Sequence, residues 1–254
     1  MRHTKHTILQ RPQIFQQFPG LIAAESTRHG GISPSPYASL NMGINTSDAE
    51  ANISENRRRF FQALGLSKEQ LASSYQVHDN KVLLAEKPGR HEGYDAIITR
   101  QKGVIIGVTV ADCTPILVYD ARNQAVAAIH AGWKGTSQQI VLEALNAMAL
   151  HFNTRATDCH AYVGTCIDGD NYEVDDQVAQ YFELAHKWPG QAAGKWQVDL
   201  KSANKAQLLA FGVPDGQIEI SPYSTFMDNE HYFSHRRENG TTGRMLAVIG
   251  MKPL

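Results

Sequence analysis

Five short runs rich in Val and Ile follow one another along the chain at 82–85, 96–99, 104–110, 116–119 and 125–129, separated by breaks that carry Gly, Asp or Asn. β-Branched runs of this length, bounded by turn residues, predict strands. The next stretch changes period. Over 136–152, Ile140, Val141, Leu145, Met148 and Phe152 fall on one helical stripe, with Gln138, Gln139, Glu143 and Asn146 elsewhere. A strand at 160–163, a helix near 176–187 and a helix near 200–211 follow, with Gly212 placed as a C-cap. Residues 218–220 and 245–249 read as closing strands. Upstream, 21–24 predicts a short strand, the Gly-, Pro- and Ser-rich stretch 28–39 a loop, and Asp48 or Ser54 the start of a helix reaching about Leu64. Strands that run consecutively and then alternate with helices predict an α+β (mixed α/β) fold, a layered sandwich with helices packed outside a mixed sheet.

The chain has 254 residues, 42% apolar and 19% charged, enough to bury a full core, and no composition shift or repeat divides it. It is read as one domain over 1–254. A net charge of -1 supplies no global basic field, which argues against nucleic acid as a partner. The N-terminus carries Arg2, His3, Lys5 and His6 with no apolar run behind them, and the longest apolar run, 104–111, is far short of the ~20 residues of a membrane span. Three cysteines, Cys113, Cys159 and Cys166, form an odd set without a secretion signal, so a cytoplasmic protein with working thiols is expected rather than a disulfide framework. No GxGxxG or GxxxxGK[ST] follows a predicted strand, which disfavours a dinucleotide or P-loop site. No heptad seam sets an oligomeric state.

Chemistry concentrates in V-A-D-C-T-P-I-L-V-Y-D and A-I-H-A-G-W-K-G between Val110 and Gly135. Cys113 lies just past one predicted strand and His130 ends another, while His78 in Y-Q-V-H-D ends an earlier one. Side chains at such strand ends can converge. Two imidazoles and a thiolate suit zinc, with Asp79 and Asp112 placed to support the ligands or their loops. The spacing matches no short metal motif. On spacing alone, a buried structural Cys and hydrogen-bonded histidines remain the plainer reading.

The segments S-T-R-H-G-G-I-S (26–33), S-L-N-M-G (39–43), Q-V-H (76–78), D-A-I-I-T (95–99), V-A-D-C-T-P-I-L (110–117), I-H-A-G-W-K-G (129–135), Y-E-V (172–174), F-S-H-R-R (233–237) and T-G-R (242–244) occur in this order over nearly the whole chain. Together they resemble the YfiH family, also called the laccase-domain or multicopper polyphenol oxidoreductase family and the peptidoglycan editing factor family. The resemblance implies that His78, Cys113 and His130 hold a metal, usually zinc, and that the fold is like that of cysteine-hydrolase-like toxin domains. It also implies purine nucleoside phosphorylase activity on adenosine, inosine and guanosine, with adenosine deaminase and methylthioadenosine phosphorylase activities beside it. Three departures stand out: Lys134 where Arg often follows the Trp, Thr165 where Pro is usual and expected to alter a pocket wall, and Ser224 where Cys is frequent.

Phosphorolysis needs an anion site and a grip on the nucleoside. Arg28 beside Gly30-Gly31 offers a charge and backbone amides for phosphate. Lys134, Arg236 and Arg244 are further cations, with at least one of Arg236 and Arg237 expected to face solvent. Asn41 and Gln76 are candidates for the purine edge or ribose hydroxyls. The H-x-E…P-C-x-x-C signature of cytidine-type deaminases is absent. Alternatives are a copper-binding polyphenol oxidase at the same residues and a metal-free hydrolase with Cys113 as nucleophile and His130 as base, acting on peptidoglycan precursors. A binding module for metal or nucleotide is a further possibility.

Overall fold

The computed structural model describes residues 7–253; the basic start of the chain, 1–6, on which part of the expectation about a signal peptide rests, lies outside them. Two six-stranded sheets stack face to face. The first runs in the order β1 (Leu9–Gln10), β2 (Leu21–Ser26), β15 (Met245–Met251), β7 (Ile105–Val110), β3 (Leu71–Tyr75) and β5 (Gly89–Glu92). The second runs β14 (Ile218–Ile220), β10 (Cys159–Val163), β8 (Thr114–Asp120), β9 (Ala125–Ala131), β6 (Ala96–Thr99) and β4 (Val82–Leu84). Both are mixed: β3 is parallel to β5 and β7, β10 to β14 and β4 to β6, while the remaining pairs are antiparallel. The mixed α/β class therefore holds, with two sheets where the sequence reading had one.

Alternation along the strands builds the layers. In β9, Val126 and Ala128 point between the sheets, with Leu117 and Tyr119 of β8, Ile106 and Val108 of β7, and Ala247 and Ile249 of β15. The intervening residues, Ala127 and Ile129 of β9 with Ile116 and Val118 of β8, face outward. There Ile140, Val141, Leu145 and Met148 of α3 (Ile140–Phe152) and Leu208 of α5 (Leu200–Phe211) cover them. On the opposite side, Phe60 and Phe61 of α1 (Glu50–Ala63) cover Ile22, Ile105, Leu246 and Val248. The central strands are apolar without a break because both of their faces are buried.

Two expected helices differ. The helix placed at 136–152 is broken into α2 (Trp133–Ser137) and α3, with Gln139 at φ 60 between them. Gln207 of α5 enters the break, accepting from Val141 N and donating to Thr136 O, so a side chain distant in sequence satisfies both open ends. The helix placed at 176–187 is one turn, α4 (Asp176–Ala179). Beyond it the chain pairs into a third sheet, β11 (Glu173–Asp175), β13 (Lys195–Val198) and β12 (Lys187–Pro189), which no sequence signal indicated. At α1 neither Asp48 nor Ser54 is the cap; Ala49 takes that position, and Asp48 accepts from Ala49 N and from the Asn52, Ser33 and Asn41 side chains. No helix among the described residues is long and apolar enough to cross a membrane.

Candidate metal centre

One end of the sandwich collects the chemistry. There β3, β7 and β9 finish, and β6, β8 and β15 begin, as their registers require. The β8–β9 hairpin pairs Thr114 with Ala131 and Pro115 with His130, which brings Cys113 beside the end of β9 despite their separation in sequence. Its turn is held by Asp120, whose carboxylate accepts from Arg122 N, Asn123 N and the Asn123 amide. His78 arrives from the loop after β3.

The ligand atoms of His78, Cys113 and His130 all lie within 4.8 Å of one another, with His78 exposed, Cys113 half-buried and His130 buried. The imidazoles of His78 and His130 meet edge to face at 4.8 Å between centroids. A Cβ at Gly132 would stand 2.9 Å from Cys113 Sγ and 3.2 Å from His78 Cδ2, so the glycine of H-A-G-W keeps the space between ligands clear. His78 at φ 60 and Asp112 at φ 82 hold left-handed backbone that disfavours side chains, a cost of order 1–3 kcal/mol each that concentrates at functional sites.

Asp95, at the mouth of β6, is fully buried and was missed as a site residue although D-A-I-I-T stood out. Its Oδ1 lies 2.7 Å from His130 Nδ1, and its carboxylate accepts from the backbone N of Val77, His78 and Asp79, each at 3.0 Å. Burial alone would raise its pKa, but the His130 and backbone hydrogen bonds hold it below the ordinary carboxylate value. With Nδ1 turned to Asp95, His130 offers Nε2 to the cluster. Burial works against a Cys113 thiolate too, yet the His130 charge and hydrogen bonds from His130 and His78 outweigh it and bring the thiol down to about 6. His130 is pushed up in turn, its burial overcome by Cys113 and Asp95. A low-pKa thiol with two imidazoles, one of them in a fixed tautomer, is a donor set that fits a borderline divalent metal such as zinc. The group is one such cluster among the described residues.

Above the three residues opens a cavity of about 470 Å³, within the range of small-molecule sites. Gln76, Asp112, Arg236 and Arg244 of the sequence-derived candidates line it, as do Asn45, Tyr75, Thr109, Trp133, Tyr172 and His235. Gln76 carries its amide against β7, bonding Thr109 N, O and Oγ1. Arg244 lies with its stem over Gly43, where a Cβ would come within 2.6 Å of its Cγ; its Nη1 donates to the Thr242 and Gly243 carbonyls. Asp112 accepts from Arg236 N and Thr225 Oγ1, both at 2.6 Å, and so ties the C-terminal loop to the residue before Cys113. The Arg236 guanidinium sits 5.3 Å from the Tyr172 ring and donates to Glu173 O; Arg237 turns away to Phe226.

The other candidates lie elsewhere. Arg28 donates to Ala38 O, Asn229 O and Glu238, with its guanidinium 4.6 Å from the Phe233 ring. The Gly31 and Ile32 amides bond Ser39 Oγ and Asn56 Oδ1, so these two are not open to phosphate. Asn41 is fully buried, its oxygen accepting from Gly43 N and Arg244 N and its nitrogen donating to Thr46 and Asp48. It positions Arg244 rather than lining the cavity. Lys134 is exposed, 5.5 Å from the Trp133 ring. Asp79 accepts from Asn80 N and approaches Lys81 at 3.5 Å; the support expected of it comes from Asp95. Thr165 is buried against Glu25 and Ser221 and is no cavity wall. Ser224 bonds Asp168.

Residues 22–252 match the family described as multi-copper polyphenol oxidoreductase laccase. The chain belongs to this family, the YfiH family. Its relatives carry a different activity in their names. The chain is 40% identical over 230 residues to a purine nucleoside phosphorylase of Deinococcus radiodurans, covering 90% of this chain and 88% of the relative. It is 34% identical over 269 residues to the purine nucleoside phosphorylase YlmD of Geobacillus stearothermophilus, covering 95% and 98%. The crystal structure of that YlmD superposes with a TM-score of 0.90 over 97% of this chain and 99% of the other, at 32% identity. The hypothetical protein YfiH of Bacillus licheniformis superposes with a TM-score of 0.89 over 94% of each, at 27% identity. This YfiH-family chain thus shares its fold over nearly its whole length with YlmD and with a protein bearing the family name.

Proposed function

We propose that the protein is a zinc-dependent purine nucleoside phosphorylase, a single cytoplasmic catalytic domain that cleaves adenosine, inosine and guanosine with phosphate. Adenosine deaminase and methylthioadenosine phosphorylase activities belong to the same proposal. The observation that carries it is the convergence of His78, Cys113 and His130 at the base of a cavity walled by Arg236 and Arg244. The relatives named purine nucleoside phosphorylase support the reaction class.

His78, Cys113 and His130 would hold the zinc, which when bound would supply Lewis-acid polarisation. Arg236 and Arg244 bind the phosphate dianion, the first placed by Asp112 and the second by Asn41 and Gly43. Trp133 and Tyr172 offer ring faces to the purine. A phosphate oxygen bonds to the anomeric carbon as the bond to the purine nitrogen breaks, and the departing base takes up a proton, for which His235 at the cavity wall is the donor. The products are the free base and ribose-1-phosphate.

Incubation with adenosine and phosphate, followed by chromatography, tests the proposal. Adenine and ribose-1-phosphate form, in amounts that require phosphate and vanish in Cys113→Ala. Inosine and ammonia formed without phosphate measure the deaminase arm. No product above the Cys113→Ala control sinks the reading. A second reading is favoured by the lowered Cys113 thiol beside His130, itself backed by Asp95: a metal-free cysteine hydrolase. About one zinc per purified chain removes it. Copper oxidase chemistry that reduces dioxygen to water needs several coppers, and a single His/Cys cluster occurs among the described residues.

A further inference from the structure

We infer that Asp95 is the positioning residue of the metal centre, a single carboxylate that sets the reach of both histidine ligands. The inference rests on the metal-binding part of the function proposed above and not on the nucleoside chemistry.

Four N–H groups converge on its two oxygens. His130 Nδ1, at 2.7 Å, and His78 N, at 3.0 Å, share Oδ1, while Val77 N and Asp79 N, each at 3.0 Å, share Oδ2. The backbone adds a fifth tie, His130 N donating to Asp95 O at 2.7 Å. An ionised carboxylate is acceptor-only and has room for all four donors. Asp95 is fully buried, so water cannot substitute for any of them.

The two sets of bonds do different things. The bond to the ring settles the His130 tautomer, with the proton on Nδ1 and the Nε2 lone pair turned to the cluster, as carboxylates behind ligating imidazoles do. The three backbone bonds wrap the 77–79 loop around the carboxylate and hold His78 at φ 60, a conformation an ordinary residue keeps only when its surroundings fix it. One ligand is therefore oriented through its ring and the other through its main chain, by the same group. The pairing of Ala96 with Ile129 places Asp95 opposite His130, and the 77–79 loop closes on the same carboxylate.

An amide cannot do this. In Asp95→Asn one oxygen still accepts, but the other position becomes an NH2 facing N–H donors, so either the His130 tautomer or the 77–79 loop loses its partner. The test compares wild type, Asp95→Asn and Cys113→Ala for zinc affinity by chelator competition and for the visible spectrum of the cobalt-substituted protein, with thermal melts to establish folding. Folded Asp95→Asn is expected to bind zinc 10–100-fold more weakly than wild type, with altered cobalt ligand-field bands that retain the thiolate charge-transfer band. Equal affinity and an unchanged cobalt spectrum overturn the inference while leaving the metal reading intact. Wild type that binds no better than Cys113→Ala overturns the metal reading and this inference with it. If Asp95→Asn does not fold, long-range 1H–15N correlation spectra of wild type carry the test. A zinc-loaded His130 protonated at Nδ1 supports the inference, and one metallated at Nδ1 overturns it.

Discussion

Replacement of Arg28 by Ala separates two roles that a lone arginine beside two glycines can have. Its guanidinium donates to Ala38 O at 3.0 Å, Asn229 O at 2.7 Å and Glu238 Oε1 at 3.1 Å, and lies over Phe233. Side-chain exposure is 16% for Arg28 and 20% for Glu238, so the pair is sheltered without being sealed. A hydrogen bond from a charged donor nets ~1.5–3 kcal/mol when buried, and access to water reduces that toward ~1 kcal/mol. Glu238 keeps its bonds from Thr242, Asn229 and Ser234 N after truncation, so no carboxylate is stranded. Three such bonds therefore total about 3 kcal/mol, which lowers the melting temperature of a chain this size by roughly 6–12 °C. Arg28→Lys, which keeps the charge and loses the fork, falls between. Differential scanning calorimetry measures the loss. Phosphate KM, taken well below the melting transition, stays at the wild-type value. An unchanged melting temperature together with a tenfold rise in phosphate KM would falsify this account and restore Arg28 to the anion site.

Arg244→Met has the opposite signature: phosphate KM rises at least tenfold in steady-state phosphorolysis, while zinc content measured by atomic absorption holds at the wild-type level. Gly132 lies in extended backbone open to any residue, so Gly132→Ala acts through space alone, pressing on Cys113 Sγ and His78 Cδ2. Zinc affinity by chelator competition drops tenfold or more, and an unaltered affinity rejects the steric argument. Stability falls in acid. Burial alone would raise Glu238 and Asp48, but hydrogen bonds, from Thr242 and Ser234 N in the first case and from Asn52 and Ser33 in the second, hold both below their ordinary values. Groups with a depressed folded-state pKa stabilise above the unfolded value of ~4 and lose that contribution as pH drops through the folded one. The melting temperature thus declines below about pH 4, and Glu238→Gln makes the decline shallower; an identical slope in the variant contradicts the assignment.

The strands legible in the sequence are those whose side chains all find apolar neighbours. β6 to β9 lie between two layers, so their Val and Ile runs are continuous and their ends fall within a residue or two of the predicted ones. α5 is legible for the same reason at its ends: Asp199 caps Ser202 N and Gly212 closes it at φ 103. The strand β5, reading G-R-H-E at an edge, has mostly exposed side chains and therefore no pattern to read. The break before α3 is illegible locally because its cause, Gln207, lies in a helix that folds back from far along the chain. A short window carries the local preference of the Gln138-Gln139 pair, and tertiary hydrogen bonds override it.

The site divides along the same line. Cys113 and His130 were within reach of sequence reasoning because a hairpin joins them, and a hairpin is a local object. His78 could be placed at a strand end but not beside the other two, since its approach depends on how β3 lies against β7 in the other sheet. Arg28 misled because a glycine pair beside a cation reads as a ligand cradle. Gly31 answers a different demand, for a Cβ there would lie 2.0 Å from Ser39 O, so its smallness lets two stretches of main chain touch. Asp95 went unassigned for the converse reason. Three of its four partners are backbone N–H groups, and a sequence shows which side chains a carboxylate could meet but not which peptide bonds will be turned toward it. The residues that shape this centre without touching a ligand atom of the metal set, Asp95, Asp112 and Asn41, each accept main-chain hydrogen bonds, and that is the class of interaction for which residue type and spacing hold the least information.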